Sequence, residues 1–449
     1  MTSAAEQVMA NVNWGTLRKA EELQKRLLFT LGVLIVCRLG SYLPLPGIDA
    51  EVFFQAFVGS RRSIVGFFNM FSGGAINRMA IFALGIMPYI SASIIVQLMA
   101  AVLPAWSALK SEGEAGRKKL AQYARFITIL IASLQGYAVA MGLQATEGVV
   151  ASPGWFFVLS TTITLMGGSL LLMWLGERIT AVGVGNGPSL IIFSGIVAEF
   201  PDAFVGVLEL SRQGVLAGPY LLAALTMMIL VIGFVVFMER AQRRLLIQYP
   251  RRQVGRELLS GQSSHLPLKV NTAGVIPPIF ASALLLMPAT LSSMSAGRAA
   301  ISGEGPGIFE RIALFLAPGQ PLHAIVYIGL IIFFCFFYTA IVLNPEEIAK
   351  NLKKYGGFIP GVRPGDKTAE YIDYVLTRIT VLGSVYIAGV CFLPEFLVTW
   401  ADIPFYFGGT SLLIVVSVTM DTVAQIQGYL FAYQYEGLVG KTKLRKRQR

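Results

Sequence analysis

The sequence predicts an all-α, polytopic membrane protein with ten membrane-crossing helices. Charged residues make up only 14% of the chain, against about 25% in a typical soluble protein, and 55% of the residues are hydrophobic. Long apolar stretches recur along the chain, and a helix needs about 20 mostly apolar residues to cross a bilayer. The ten predicted spans lie near residues 27–43, 81–103, 124–143, 155–175, 188–206, 219–238, 271–293, 321–343, 377–396 and 408–430.

The composition also excludes other classes of protein. Three cysteines and two histidines are too few for a disulfide framework or a histidine-rich metal cage. A soluble globular domain, a disulfide-rich secreted domain and a disordered chain are therefore excluded. The first 26 residues are polar and mixed in charge, which argues against a cleaved signal peptide at this end.

Basic residues indicate the orientation in the membrane, because Lys and Arg collect on the cytoplasmic side. If the N-terminus is cytoplasmic, 29 of the 36 Lys and Arg residues lie in the predicted cytoplasmic segments. The sequence therefore predicts that both termini are cytoplasmic, with ten crossings between them.

The number of spans suggests two halves. Five predicted spans precede the basic loop 239–270 and five follow it, and a half with an odd number of spans, repeated once, must have its copies inverted in the membrane. The predicted division is an N-terminal half at 1–206, a C-terminal half at 207–430 and a basic cytoplasmic tail at 431–449. A ten-helix bundle without internal symmetry remains the alternative, since no internal sequence similarity is evident.

Residues 66–80 are apolar enough for burial, yet Gly73, Gly74 and Arg78 interrupt them and they are too short to cross the bilayer. We predict a short half-helix followed by a flexible link. Irregular backbone at membrane depth is tolerated only inside protein or beside a water-filled cavity. Two interpretations stay open at this point: a mobile segment that fills a cavity from outside, and an interfacial re-entrant loop without a moving part.

Prolines and polar residues mark the second and seventh predicted spans. The second span contains Pro88, Ser91 and Gln97, and the seventh contains Pro277 and Pro278. Proline removes an amide donor and kinks a helix. Two kinked helices with polar residues would line a shared seam, and kinks with a purely structural role are the alternative.

The sequence predicts no enzyme activity, no cofactor and no metal site. It contains no GxSxG, P-loop or HExxH motif, and the GVGNG run at 183–187 resembles a phosphate-binding loop only superficially. We interpret that run as a hinge that caps the fifth span, with Pro188 in the first helical turn. Asp421 in the tenth span supports an alternative function, an inverted-repeat secondary transporter of a small solute with Asp421 as the coupling carboxylate. A structural ion pair or an interfacial position explains Asp421 more simply.

Motifs that occur in order along nearly the whole chain resemble those of the SecY family, whose members are channel subunits of the bacterial protein translocase. The motifs are MFSGG at 70–74, ALGIMPYISASIIVQL at 83–98, WLGERIT at 174–180, GVGNG at 183–187, HLPLKVN at 265–271, NP at 344–345, PGVRPG at 360–365 and PFYFGGTS at 404–411.

The resemblance implies two inverted five-helix halves around an hourglass pore with an aliphatic ring at its waist. A narrow ring without hydrogen-bonding groups gates by dewetting, and β-branched side chains are stiff at χ1. By the matching motifs, the isoleucine ring consists of Ile86, Ile90, Ile192, Ile279 and Ile414.

The resemblance also implies a plug and a lateral gate. Residues 66–80 match the plug, which closes the pore from outside, and the second, third, seventh and eighth spans match the gate through which a signal sequence or membrane span reaches lipid. The candidate plug residues are Phe67, Asn69, Met70, Phe71, Ser72, Gly73 and Gly74, and the candidate gate residues are Ser91, Gln97, Gln135, Pro277 and Pro278.

Finally, the resemblance implies docking of the SecA ATPase and the ribosome on the cytoplasmic loops 239–270 and 344–378. Arg256-Glu257 stands where a paired arginine is typical, and Pro188 where an aliphatic residue is common. Some loop arginines are equally explained by the cytoplasmic bias of basic residues. The candidate docking residues are Arg243, Arg244, Arg251, Arg252, Arg256 and Arg363.

The expected function is a passive channel in the bacterial cytoplasmic (inner) membrane, driven by its partners. Secretory and membrane polypeptides are the expected substrates, and the small membrane subunits SecE and SecG are expected partners, as are SecDF and YidC. The six basic residues of the tail at 441–449 are suited to anionic lipids or to RNA.

Overall fold

The computed structural model describes residues 20–49, 52–53, 69, 72–144, 148–212, 218–249, 252–254, 257–259, 263–285, 315–316, 320–400 and 409–447. Within these residues the chain is mostly helical. The helices are α1 (Glu21–Gly40), α2 (Met87–Val102), α3 (Pro104–Ser111), α4 (Glu114–Gln144), α5 (Trp155–Val182), α6 (Gly187–Arg212), α7 (Gly218–Arg240), α8 (Ile276–Leu285), α9 (Pro321–Val342), α10 (Pro345–Lys354), α11 (Asp366–Trp400) and α12 (Gly409–Arg447). The strands are β1 (Gln242–Gln248), β2 (Arg252–Val254), β3 (Glu257–Leu259) and β4 (Ser263–Lys269).

Several helices meet the physical requirement for crossing a membrane, as the sequence predicts. Among the described residues, helices α4, α5, α9, α11 and α12 contain stretches that are long and apolar enough, and α2 with α3 would add a sixth that bends by 105°. The chain is therefore a multi-pass helical membrane protein. The count of ten crossings stays a prediction.

Three helices extend furthest beyond their predicted spans. Helix α4 begins at Glu114 and α11 at Asp366, both before the apolar stretches, and α12 continues beyond 430. Hydropathy identifies only the apolar part of a helix. The helix itself can continue past that part, because charged residues in water also form the backbone hydrogen bonds of a helix.

Most of the prolines at the predicted spans begin helices instead of kinking them. Pro88 lies in the first turn of α2, and Pro277 and Pro278 lie in the first turn of α8. The predicted kinks are wrong at these positions, because the first-turn amides have no intrahelical acceptor and proline therefore removes no hydrogen bond there. The prediction for Pro188 is confirmed, since α6 begins at Gly187, and Pro201 lies inside that helix.

The chain divides into two compact units. Unit 1 consists of residues 1–204, 288–313 and 414–449, and unit 2 consists of residues 205–287 and 314–413. The division after residue 204 lies next to the predicted boundary at 206, but the last helix groups with unit 1 from residue 414 onward. Two inverted halves stay a prediction.

An apolar cluster in unit 1 joins the segment after α1 to helices α4 and α5. It contains Leu45, Met79, Leu143, Phe157 and Leu165. Because Met79 lies next to the last residue of the segment 66–80, this cluster anchors that segment's C-terminal end in the core.

Unit 2 contains a β-hairpin that sequence reasoning missed. Strands β1 and β4 pair antiparallel, with Leu245 opposite Leu266, and β2 pairs with β3. In β1, Leu245 and Ile247 are buried and their neighbours are exposed, which is the period-two pattern of a strand with one covered face. The alternation of apolar and polar residues is short and lies next to arginines. Sequence reasoning therefore treated 239–270 only as a basic loop.

Candidate functional site

The segment 66–80, which we call the plug segment, is organised around Asn69. The side-chain oxygen Oδ1 of Asn69 accepts a hydrogen bond from the amide of Asn77 at 2.9 Å. Its backbone carbonyl accepts from the amide of Gly74 at 2.9 Å and from the hydroxyl of Ser72 at 3.0 Å. Residues 72–79 form consecutive turns, so the predicted half-helix does not extend into them, and Phe67, Met70 and Phe71 lie outside the described residues.

Backbone pairing and close packing attach the plug segment to unit 1. The amide of Leu45 donates to the carbonyl of Met79, and the amide of Ile81 donates to the carbonyl of Leu43, both at 2.9 Å. Gly73 adopts a φ of +65° in the left-handed region and lies against α6, where a Cβ atom on Gly73 would stand 2.9 Å from the Cα of Gly195. The described part of the segment is therefore joined to unit 1 at Gly73 and at Met79.

The turn at 183–187 is tied to three helices through its amides. The amide of Val184 donates to Thr30 Oγ1 of α1 at 3.0 Å, and that of Gly185 donates to Gln425 Oε1 of α12 at 2.9 Å. The amide of Gly187 donates to Thr180 Oγ1 of α5 at 2.9 Å. These amides have protein acceptors already, which agrees with excluding a phosphate-binding loop. Sequence reasoning missed these contacts. Thr30 and Gln425, polar residues within apolar helices, could have indicated them.

Four of the five residues of the predicted isoleucine ring are buried. Ile86, Ile192, Ile279 and Ile414 are exposed by 3%, 2%, 6% and 1%, and Ile90 is half-buried. The Cδ1 atom of Ile86 lies 3.4 Å from the position that a Cβ atom on Gly176 of α5 would take. The burial of these four side chains is consistent with the predicted ring. Their convergence on one axis stays a prediction.

The candidate gate residues lie on helices of both units. On α2, Ser91 is half-buried and Gln97 donates from Nε2 to the hydroxyl of Ser93 at 3.2 Å. Gln135 of α4 is half-buried, while Pro277 and Pro278 of α8 are buried.

In unit 2, a buried polar contact holds the approach to α8. Asn271 Nδ2 donates to Glu239 Oε1 of α7 at 2.6 Å and to the carbonyl of Gly274 at 3.2 Å. Further along, Phe280 packs edge-to-face on Phe334 of α9, with ring centroids 5.5 Å apart. Sequence reasoning missed Glu239, because it counted this residue only as a loop charge.

The predicted cytoplasmic loops of unit 2 form one folded element, which we call the docking platform: β1, β4, residues 355–365 and the start of α11. The amides and carbonyls of Gln248 and Phe358 exchange two hydrogen bonds of 2.9 Å. A buried apolar cluster fills the interior of the platform, with Leu245, Leu268, Ile359, Ile372, Leu376 and Ile379 as its members.

The platform presents basic residues to water. Arg243 and Arg244 on β1 are exposed, and so is Arg363, which lies between Gly361 and Gly365. These two glycines have φ values of +83° and +112°. The Arg363 carbonyl accepts a hydrogen bond from the Thr368 hydroxyl at 2.8 Å, which fixes the loop to α11. Arg252 lies in β2, and Arg251 and Arg256 lie outside the described residues.

Asp421 of α12, the carboxylate of the transporter alternative, is exposed. Ion coupling requires a carboxylate that is enclosed at membrane depth near a substrate pathway. The structure therefore gives the transporter alternative no support.

These observations define a multi-pass helical membrane protein with a folded platform of loops in unit 2 and, in unit 1, a segment of turns packed against α6. The SecY family model matches residues 80–423, and the chain belongs to the SecY family. The predicted resemblance is thereby confirmed.

Curated relatives extend the similarity to almost the whole chain. The protein translocase subunit SecY of Escherichia coli (strain K12) is 51% identical over 427 residues, which cover 94% of this chain and 95% of the relative. The protein of the same name from Rickettsia bellii (strain RML369-C) is 49% identical over 432 residues, which cover 95% and 98%.

Solved structures show the same fold. A structure described as a protein conducting channel aligns with a TM-score of 0.64 at 21% identity, covering 90% of this chain and 92% of that one. Sec61 in a canine ribosome–channel complex from the endoplasmic reticulum aligns with a TM-score of 0.61 at 20% identity, with the same coverage.

Proposed function

We propose that this chain is the channel subunit of a protein translocase. It conducts unfolded secretory polypeptides across the bacterial cytoplasmic membrane and releases membrane spans sideways into lipid. The observation that carries this proposal is the similarity to protein translocase subunits SecY, at about half identity over nearly the full length of both chains.

The closed state is maintained by the isoleucine ring and the plug segment. Aliphatic side chains offer an ion no replacement for its hydration shell, so a narrow ring of them excludes ions while it is closed. The burial of Ile86, Ile192, Ile279 and Ile414 and the packing of Gly73 on α6 support this arrangement. The channel is passive, and partner proteins supply the energy.

Lateral release uses α2, α4, α8 and α9 as the gate helices. A hydrophobic segment of about 20 residues leaves for lipid spontaneously, because each central Leu or Ile contributes roughly 0.3–0.6 kcal/mol. Ser91, Gln97 and Gln135 provide polar contacts that the passing segment exchanges, and α8 begins at the rigid pair Pro277-Pro278.

The docking platform is the site for the driving partners. Its exposed Arg243, Arg244 and Arg363 are suited to acidic protein surfaces or to ribosomal RNA phosphate. The SecA ATPase and the ribosome are the proposed partners here, with SecE and SecG as membrane subunits and SecDF and YidC as further ones. Both termini are cytoplasmic, and the basic tail contacts anionic lipids.

Site-specific photocrosslinking tests the proposal directly. The complex is reconstituted with a stalled secretory polypeptide, and a photoreactive amino acid replaces Ile86 or Ile279 in turn. We expect crosslinks to the polypeptide from both positions. Leu130 of α4 is the matched control, because this side chain is 62% exposed on the outer face of the chain and should contact lipid.

Equal crosslinking from Ile86, Ile279 and Leu130 would contradict a central pore, and absence of crosslinks from both isoleucines would contradict the isoleucine ring. A transporter, by contrast, would bind a small solute when purified without partners.

A further inference from the structure

Four side chains of unit 1 surround the outer end of the plug segment: Arg38 at the end of α1, Tyr42 just after it, Arg78 in the plug segment and Glu199 in α6. We call them the outer charge cluster. Arg38 Nη2 donates to the hydroxyl of Tyr42 at 3.1 Å. The guanidinium carbons of Arg38 and Arg78 lie 5.0 Å and 4.2 Å from the centre of the Tyr42 ring. Two cations therefore share one aromatic side chain, an arrangement that favours a nearby negative charge.

The plug segment contacts this cluster through its backbone. Arg38 Nη1 donates a hydrogen bond to the carbonyl of Gly73, so one guanidinium joins α1, Tyr42 and the plug segment. A Cβ atom on Gly74 would stand 2.4 Å from Glu199 Oε1 and 3.3 Å from Arg78 Nη1. The carboxylate and the second guanidinium thus lie directly against Gly74, whose φ of +81° favours glycine.

Burial makes these contacts consequential. Gly73 and Gly74 are buried, and the Nη1 atom of Arg78 is enclosed without a hydrogen-bond acceptor among the residues that the structure describes. An enclosed guanidinium nitrogen is costly unless negative charge lies close by, and the Glu199 carboxylate supplies that charge. If the plug segment leaves, Gly73 loses its donor and water enters the cluster.

We infer that Arg38 and Glu199 are positioning residues that latch the plug segment in the closed state. The inference rests on the proposed function, because a latch matters only if the segment closes a pore. Arg38 holds the Gly73 carbonyl, and Glu199 supplies negative charge beside Gly74 and the Arg78 guanidinium. Opening then requires the charged hydrogen bond to Gly73 to break.

The test measures ion leak through resting complexes reconstituted in sealed vesicles. We expect Arg38→Gln to raise the resting leak roughly tenfold, since hydrogen bonds to charged groups are the stronger class. Glu199→Gln, which keeps the side-chain shape and removes the charge, should raise it in the same direction. Arg38→Lys can still donate to the Gly73 carbonyl and should leak less than Arg38→Gln.

Arg117→Gln is the matched control, because it removes one arginine charge from an exposed position at the start of α4. It should leave the leak unchanged. Polypeptide translocation, subunit content and unfolding temperature are measured for every variant, and the latch predicts a raised leak with these three retained. A purely structural role for Arg38 would lower them instead.

Two outcomes separate the latch from the proposed function. If deletion of residues 66–80 raises the leak while Arg38→Gln and Glu199→Gln match Arg117→Gln, the latch is wrong and the channel stands. If the deletion leaves the leak unchanged as well, the plug assignment itself fails.

If Arg38→Gln does not assemble, Tyr42→Phe replaces it as the deciding variant. This change removes the hydroxyl that accepts from Arg38 and keeps the aromatic ring. We expect Tyr42→Phe to give a higher resting ion leak than Arg117→Gln. An equal leak from the two variants would overturn the latch.

Discussion

The plug segment and the docking platform are both compact, but different forces hold them in place. Only the C-terminal end of the plug segment, at Met79, is held by an apolar cluster. Its remaining described contacts are backbone hydrogen bonds next to Leu45 and Ile81, the Arg38 hydrogen bond to Gly73 and the close packing of Gly73 on Gly195. The docking platform surrounds a continuous apolar cluster in which Ile372 has no exposed surface. Water can replace polar contacts one at a time, whereas separating an apolar cluster exposes all of its surface together.

This difference suits the proposed roles of the two regions. A segment that must leave a pore requires contacts that water or another polar group can replace. A surface that receives a motor or a ribosome must keep its shape under load. The comparison can be tested by disturbing each region where its own type of contact predominates.

The largest expected effect is in the docking platform. Replacing Ile372 with Ala leaves a cavity in its core, and the free energy of unfolding of the platform should fall by about 2–5 kcal/mol. Hydrogen exchange of β1 and β4 in the purified complex measures this loss. The control is Val385→Ala on the same helix, whose side chain is 62% exposed. Equal exchange in the two variants would show that the apolar cluster does not hold the hairpin.

The second-largest effect is expected from replacing one of two glycines whose backbone is in the left-handed region. Gly361 of the platform has open space at its Cβ position, whereas a Cβ on Gly73 would meet the Gly195 backbone. In each case Ala costs about 1–2 kcal/mol of backbone strain, and Gly73→Ala adds the steric clash. We expect Gly73→Ala alone to raise the resting ion leak of reconstituted vesicles. A leak from Gly361→Ala of the same size would remove the distinction between the two regions.

A smaller effect is expected from the exposed arginines of the platform. Arg363→Ala should weaken binding of the SecA ATPase several-fold at low salt and less at high salt, because exposed charges are screened. Binding measured across a salt series checks this, and the resting leak should not change. Arg212→Ala, at the end of α6, is the control with an exposed arginine of the predicted outer side. A salt-independent loss would argue against an electrostatic contact.

The smallest effect concerns an ion pair on the surface of α11. A hydrogen bond from Lys367 to Glu370 raises the pKa of Lys367 above its ordinary value of 10.5. The pair stabilises the charged form, so its contribution is present below pH 10.5 and is lost as the pH rises through the raised pKa. Glu370→Gln should return the pKa of Lys367 towards 10.5, as measured by NMR, without a measurable change in unfolding temperature. A clear drop in unfolding temperature would show that this exposed pair matters more than solvent screening permits.

Much of the fold was predictable, because hydropathy acts locally. The apolar stretches of α4, α5, α9, α11 and α12 were all among the predicted spans, and the helix start at Pro188 followed from the fixed φ of proline. At Pro88 and Pro277, by contrast, proline led to a wrong prediction of helix kinks. Hydropathy placed them inside spans, whereas the structure begins the helices there and forms turns at 81–86.

The β-hairpin was not predictable by the same reasoning. Its two buried positions in β1, Leu245 and Ile247, lie among mostly polar exposed neighbours, and the residues that pack with Leu245 include Ile359 and three residues of α11. Strand propensity depends on what packs against the covered face.

The sequence by itself determined that this chain enters a membrane several times and belongs to its family, because composition and ordered motifs are properties of the linear chain. Only the tertiary structure decided which partner each enclosed polar group finds. Arg38 bonds Gly73 at a separation of 35 residues, Asn271 bonds Glu239 across 32, and Gly185 bonds Gln425 across 240. Most enclosed donors find an acceptor, but nothing in their neighbours along the chain specifies which distant acceptor the fold brings near.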